Sequence, residues 1–297
     1  MRNLRIMLQY FLIPGALALL PWSISRRLAF RAGRFLPWLY REEVEASTLN
    51  AHRYGFAPDT HAFAVRLRAR LLVEAMDGYL LLLRGRGYAK RWLMLTGDEL
   101  PDSGPLAFIG SHYGVGSWFL FHAREKGLLP HIVGPARHKL WAPPSFLENV
   151  YFRYRHWLLE RYTGRALVRR GGASAALAGA LDRGEPIFGL CDMPTSRADA
   201  PRCEFLGMSV YFPPNMMELA HDSQAPVYLF LADTDLASGK RTLHFQRVCG
   251  LDPKQQVQAM ARLLEQAIQK DPTGWRFWSI ADSLFARGSI GEMSARS

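Results

Sequence analysis

Residues 62–83 place Phe63, Leu67, Leu71, Ala75, Tyr79 and Leu82/Leu83 on one face, with Arg66, Arg70 and Glu74 between them. That spacing predicts an amphipathic helix. The turn-rich "LTGDELPDSGP" follows, and from Pro105 the rhythm changes. "PLAFIG" precedes "WFLFHAREKG", "HIVG" precedes the aromatic and basic stretch 146–162, "ALV" precedes "SAALAGALDRG", and "PIFGLC" precedes a loop. Such alternation predicts an α/β fold, a mixed central sheet covered by helices. Asn215 and Glu218 have the spacing of a capping box, so "NMMELAHDSQ" reads as a helix that stops before Pro226. "APVYLFLAD" and "KRTLHFQRV" read as strands joined at "SGK", and residues 254–269 as another helix. No internal repeat or low-complexity tract interrupts the pattern.

The first 45 residues follow a different pattern. Ile6 to Ile24 is an apolar stretch of nineteen residues broken by Gln9, Pro14, Gly15 and Pro21, with arginines at both ends. The expectation is a helical membrane anchor, either a short span or a kinked interfacial helix, with Trp22, Trp38 and Tyr40 at headgroup depth. A cleaved signal peptide fits less well, because Pro14 and Gly15 break its apolar core. A simple buried helix is the other alternative. The chain divides accordingly into an anchoring segment 1–45, a domain 46–285 and a flexible tail 286–297.

Charge sharpens this picture. The net charge is +11, and residues 1–41 hold seven arginines and no acidic residue. Such a bias suits an anionic membrane surface or nucleic acid, and the adjoining apolar stretch selects the membrane. Six arginines between 153 and 170, interleaved with Tyr151, Phe152, Tyr154, Trp157 and Tyr162, read as a surface toward anionic headgroups. No nucleic-acid recognition module accompanies them, so no nucleic acid is expected as a partner. Cys191, Cys203 and Cys249 are odd in number and far apart, without metal or redox spacing. No metal and no cofactor is called for.

The candidate chemistry lies in "AFIGSHYGVGSWFLF", residues 107–121. Here His112 is expected just past the end of a buried strand and at the first turn of the next helix, where open α/β sheets place their ligands. As a base it would take the proton of an acceptor hydroxyl, with amides near Gly114 and Gly116 as the oxyanion site. The plainer alternative is a histidine satisfied by a nearby backbone group. Around Ser117 the glycines are misplaced for a nucleophile elbow, Phe119 replaces the third glycine of a dinucleotide fingerprint, and no Walker A sequence occurs.

Four stretches in order carry a resemblance: the His112 motif, "RALVRRGGASAALAGALDRGEPIFGLCDMP", "FLGMSVYFPPNMMELAHDSQAPVYLFLAD" and "QKDPTGWRFW". Together they resemble the late acyltransferases of lipid A biosynthesis, the lauroyl and myristoyl acyltransferases, a branch of the lysophospholipid acyltransferase superfamily. The resemblance implies a glycerolipid-acyltransferase-like fold at the cytoplasmic face of the inner membrane. It implies transfer of a fatty acyl group from an acyl-carrier-protein or coenzyme A thioester to a hydroxyl of a lipid A-like or other glycolipid acceptor. It makes His112 the base, Arg170 or Arg169 the downstream arginine that binds phosphate or the charged donor, and Asp192 the aspartate of "LCDMP". Trp275 and Trp278 stand where the family has its aromatic end, though their spacing also suits a helix core. Ser117 departs from the pattern, standing where the family has the acidic member of its dyad. Either another carboxylate, Asp192 first, approaches His112, or the chain is a non-catalytic lipid or acyl-carrier binding relative.

Overall fold

The structure, a computed structural model, describes residues 2–134, 145–169, 171–195 and 197–285. The N-terminal part is all helical. It runs through α1 (Arg2–Ile6), a π-helical stretch (Met7–Leu12), α2 (Ile13–Leu19), α3 (Trp22–Phe35), α4 (Arg41–Arg53) and the long α5 (Thr60–Trp92). Then come β1 (Leu93–Gly97), β2 (Ala107–Gly110), α6 (Gly116–Glu125), β3 (His131–Ile132), α7 (Phe146–Thr163), α8 (Ala173–Asp182) and β4 (Ile187–Leu190). The chain continues with β5 (Arg202–Phe205), β6 (Met208–Tyr211), α9 (Asn215–Asp222), β7 (Val227–Thr234), β8 (Arg241–Val248) and α10 (Pro253–Lys270). Two 3-10 turns, Pro272–Gly274 and Arg276–Ile280, close it.

Six strands form one sheet in the order β1-β8-β7-β2-β4-β3. Strands β7, β2, β4 and β3 run parallel, and β8 returns antiparallel to β7. The mixed sheet covered by helices is therefore present. Helices α5 and α6 pack on one face, and α8, α9 and α10 on the other. Phe119 of α6 stacks on Phe188 and Phe230 and lies beside Phe108, which ties α6 to three adjacent strands. Strands β5 and β6 form a separate hairpin that the sequence pattern did not announce.

The expected N-terminal membrane anchor is corrected. Among the described residues no helix is long and apolar enough to cross a membrane. Pro14 starts a new helix in its first turn, where a missing N–H is harmless, and the backbone is extended at Leu20 before α3 begins. Ile6, Leu17, Ala18, Trp22, Ala29 and Tyr40 are buried within the protein, so one apolar face of this segment packs on the domain itself, while Leu12, Leu19 and Phe35 stay exposed. Helix α3 lies so close to α5 that a Cβ on Gly33 would stand 2.7 Å from the carbonyl oxygen of Val65. Trp22 and Tyr40, expected in headgroups, are each only 4% exposed.

The Asn215–Glu218 capping box is also corrected. Pro214 caps α9 without a side-chain hydrogen bond, and Glu218 turns to Arg197 instead. A capping box does form at Asp252 and Gln255, at the start of α10.

The helical layer and the sheet are pinned by a buried ion pair. Asp77 of α5 and Arg241 of β8 bond to each other, and the Trp118 indole donates to Asp77 over 2.8 Å. Neither charged side chain is more than 1% exposed. Burial pushes the Asp77 carboxyl above its ordinary range despite the opposing pull of Arg241 and Trp118, so desolvation outweighs attraction. Asp77→Asn therefore strands the Arg241 charge and should cost about 3–5 kcal/mol in chemical denaturation. The double change Asp77→Leu with Arg241→Met should lose far less. A double mutant as unstable as Asp77→Asn contradicts this assignment.

Candidate active site

Strands β2 and β4 pair in parallel with a constant offset, Ala107 opposite Ile187 and Gly110 opposite Leu190. Continued two residues, that register brings His112 opposite Asp192. The ladder runs on with the Cys191 amide donating to the Gly110 carbonyl. The next donor, the His112 amide, meets the Asp192 carboxylate at 3.0 and 2.9 Å. Nδ1 of the same histidine lies 2.8 Å from Asp192 Oδ1. Two residues eighty apart in sequence become partners because their strands are neighbours.

Asp192 is fully buried, and the side chain of His112 is 28% exposed. A buried carboxylate needs donors on its lone pairs, and here it has them: the His112 amide, Nδ1, and the Trp275 indole N–H at 3.0 Å from Oδ2. Because a carboxylate only accepts, the proton between it and the ring sits on Nδ1 and leaves Nε2 as the basic nitrogen. Nε2 has no hydrogen-bond partner among the described residues. Phe277 stacks on the imidazole with ring centres 4.0 Å apart, fixing its plane.

The C-terminal 3-10 segment forms the wall behind this pair. Tyr113 and Trp275 form an antiparallel bridge, the Gly114 amide donates to Gly274 O, and the Arg276 amide donates to His112 O. The segment is itself anchored by Asp271, which binds Arg66 and Arg70 at 2.7 Å each and accepts from Thr273. Those partners hold the Asp271 carboxyl far below its ordinary range against the opposing effect of burial. The Tyr113 hydroxyl adds bonds to the Ala267 and Asp271 carbonyls. Trp275, Phe277 and Asp271 therefore belong to the site. The sequence pattern marked only the tryptophan pair, without separating Trp275 at the carboxylate from Trp278, which donates to Pro272 O in the core.

His112 lies in the loop between β2 and α6, four residues before the helix rather than in its first turn. Ser117 is the second residue of α6, and its side chain makes no hydrogen bond to His112, whose Nδ1 is held by Asp192. Gly114 is corrected as an oxyanion donor, since its amide is taken by Gly274. It is needed for another reason: its φ is +63°, and a Cβ there would lie 1.7 Å from Ala232 O. The amides of Gly116 and Ser117 have no acceptor among the described residues, and α6 has no side-chain cap. They are the free donors of this helix N-terminus. Arg169 is exposed just past the Val133–Val168 bridge at the sheet edge, and no hydrogen bond or ion pair joins it to His112 or Asp192. Arg170 lies outside the described residues.

What the arrangement can do chemically is narrow. It offers one partly exposed nitrogen base, oriented by a buried carboxylate, beside free helix N-terminal amides. Cys191 adjoins Asp192 but is no competing nucleophile, because burial pushes its thiol well above the ordinary range. No group of acidic, histidine and cysteine side chains suited to a metal ion occurs among the described residues. No protein-family model matches the chain, and no curated protein matches it either.

Thiol labelling tests the burial around the site. Cys203 is buried, with its thiol pushed up to about 11, and Cys249 is exposed. In the native protein one equivalent of a thiol reagent should react, at Cys249, and three after denaturation. Native labelling of Cys191 contradicts the burial described.

Proposed function

We propose that the chain is an O-acyltransferase that moves a fatty acyl group from a thioester donor to a hydroxyl of a membrane-associated, lipid A-like or other glycolipid acceptor. The observation that supports it most is the His112–Asp192 pair, with Nδ1 bonded to a buried carboxylate and Nε2 left open. An alcohol is a poor nucleophile at neutral pH because its proton must leave as the carbonyl is attacked. In this reading Nε2 takes that proton while the alkoxide oxygen bonds to the thioester carbon. Negative charge then develops on the carbonyl oxygen, where the Gly116 and Ser117 amides are its donors. When the C–S bond breaks, the imidazolium returns its proton to the thiolate, so base and acid are the same nitrogen. Asp192 stabilises the imidazolium formed between the two steps, and Phe277 keeps the ring in plane.

A glycolipid acceptor requires a lipid-facing surface, and α7 supports one. Phe146 is 73% and Trp157 47% exposed, with Arg153, Arg155 and Arg161 exposed on the same helix. Basic side chains beside solvent-facing aromatics suit an anionic lipid surface. The donor in this reading is an acyl-carrier protein or coenzyme A thioester.

Purified protein, membranes and a labelled acyl thioester provide the test. His112→Ala should abolish labelling of lipid. Asp192→Asn should lower turnover by about 10³–10⁴, because an amide facing Nδ1 favours the tautomer whose Nε2 is already protonated. Ser117→Ala should stay within a few-fold of wild type, since the ring already has its carboxylate. Equal labelling by wild type and His112→Ala, or none by wild type with either donor, contradicts the proposal. Binding of the thioester without transfer by wild type would favour the non-catalytic relative.

A further inference from the structure

A solvent-open cavity of about 650 Å³ lies between the start of α3, the last turns of α5 and the β7–β8 turn. Arg26, Arg84 and Arg91 line it, and none of its described lining residues is acidic. Each guanidinium is positioned without being neutralised. Arg26 donates to the carbonyls of Leu236 and Ala237, and Arg84 to those of Ala18 and Leu20. Arg84 also lies over the Tyr88 ring at 5.4 Å, and Arg91 over the Trp92 ring at 5.6 Å. None of the three pairs with a carboxylate among the described residues. Three like charges facing one cavity repel each other, and an anion between them relieves that cost.

Further donors converge on the cavity. Helix α3 begins in its wall, Pro21 gives it no side-chain cap, and the Trp22 and Ser23 amides have no acceptor among the described residues. Trp22 and Tyr88, both more than nine-tenths buried, contribute their rings to the lining. The aromatic walls do not invite a stacked base. Guanidiniums already lie over Tyr88 and Trp92, and Arg241 covers Trp22 at 4.2 Å. Guanidinium forks and free helix amides match phosphate oxygens instead.

The cavity opens at the same edge of the sheet as His112. Strand β2 ends just before His112, β7 runs parallel to β2, and the turn leaving β7 carries Ser238 into the cavity wall. Laterally, β8 and β1 lie two and three strand spacings from β2, on the order of 10–15 Å.

We propose that this cavity is a phosphate subsite, holding the phosphate or diphosphate of the substrate whose reacting end lies at His112. The inference rests on the acyl-transfer reading for the role of that phosphate, but not for its binding. Two sources share the chemistry: the diphosphate and 3′-phosphate of coenzyme A, and the phosphate of a lipid headgroup.

Calorimetric titration of the full chain with inorganic pyrophosphate, coenzyme A and dihexanoyl phosphatidic acid tests it. A Cβ at Gly87, in the cavity lining, meets no atom within 4 Å, so a side chain there enters open space. Gly87→Glu should weaken binding at least about tenfold, and Arg91→Gln by about tenfold, as expected for loss of a charged hydrogen bond. Gly87→Ala should bind within about twofold of wild type, showing that charge rather than bulk is responsible. Arg262→Gln on α10 removes the same charge elsewhere, at an exposed position, and should have no effect, and His112→Ala should leave binding intact. Tighter binding of coenzyme A than of pyrophosphate identifies the donor as the source; tighter binding of phosphatidic acid identifies the acceptor. No binding of any of the three, or equal weakening by Arg262→Gln and Gly87→Glu, overturns the proposal. Because the readout is binding, failure of acyl transfer is distinguished from failure of the subsite.

Discussion

A carboxylate withdrawn from water as completely as Asp192 must be given N–H donors by the protein, and the way this chain supplies them organises the whole site. One donor is the backbone amide that would otherwise continue the β2–β4 ladder, another is the ring of the same histidine, and the third is the Trp275 indole from the far end of the chain. The first two make His112 rigid in both backbone and side chain. The third requires the segment after α10 to fold back against residues 112–114, which it does through the two backbone hydrogen bonds of the Tyr113–Trp275 bridge. Orientation of the imidazole is thus a consequence of satisfying a buried charge rather than a separate device.

The same logic recurs around the site. Arg70, wholly buried, is met by Asp271 and by the Thr234 carbonyl, and Arg276 bridges Glu43 of α4 and Glu74 of α5. These pairs connect the N-terminal helices to the 3-10 wall behind His112. Such networks lend little net stability after desolvation, yet removal of one member leaves an uncompensated charge. Their effect is to make one arrangement of helices, sheet edge and C-terminal wall much better than any slipped alternative.

The alternation of apolar runs after Pro105 was enough to expose the sheet, because strands buried on both faces are continuous apolar words such as "AFIG" and "VYLFLA". The hairpin β5–β6 was hidden because its four-residue strands lie between proline-rich loops and its turn is Leu206–Gly207, with no Asn-Gly or Asp-Gly signal. The N-terminal stretch misled for a different reason. A helix whose apolar face meets lipid and one whose apolar face meets another helix have the same composition, and only the partner, α5, distinguishes them. In the site, Asp192 was visible as a candidate, but its pairing with His112 depends on which strands are neighbours, a relation no local spacing encodes. Ser117 drew attention because it holds a familiar position five residues on, whereas the carboxylate arrives across the sheet. Phe277 carries no local signature, and Trp275 was marked only as half of a tryptophan pair: an aromatic near the end of a helix reads as core until the chain's return to the strand ends is known.

The central claim is that Asp192 holds the His112 proton on Nδ1 and leaves Nε2 as the free base. Nitrogen-15 NMR of the imidazole in the native protein measures this directly, with His112→Gln identifying the signal. The account predicts a neutral ring locked in the Nδ1–H tautomer, with an unprotonated Nε2, and loss of that locking in Asp192→Ala. A ring that populates both tautomers as free imidazole does, or one protonated on Nε2 in its neutral form, would contradict it.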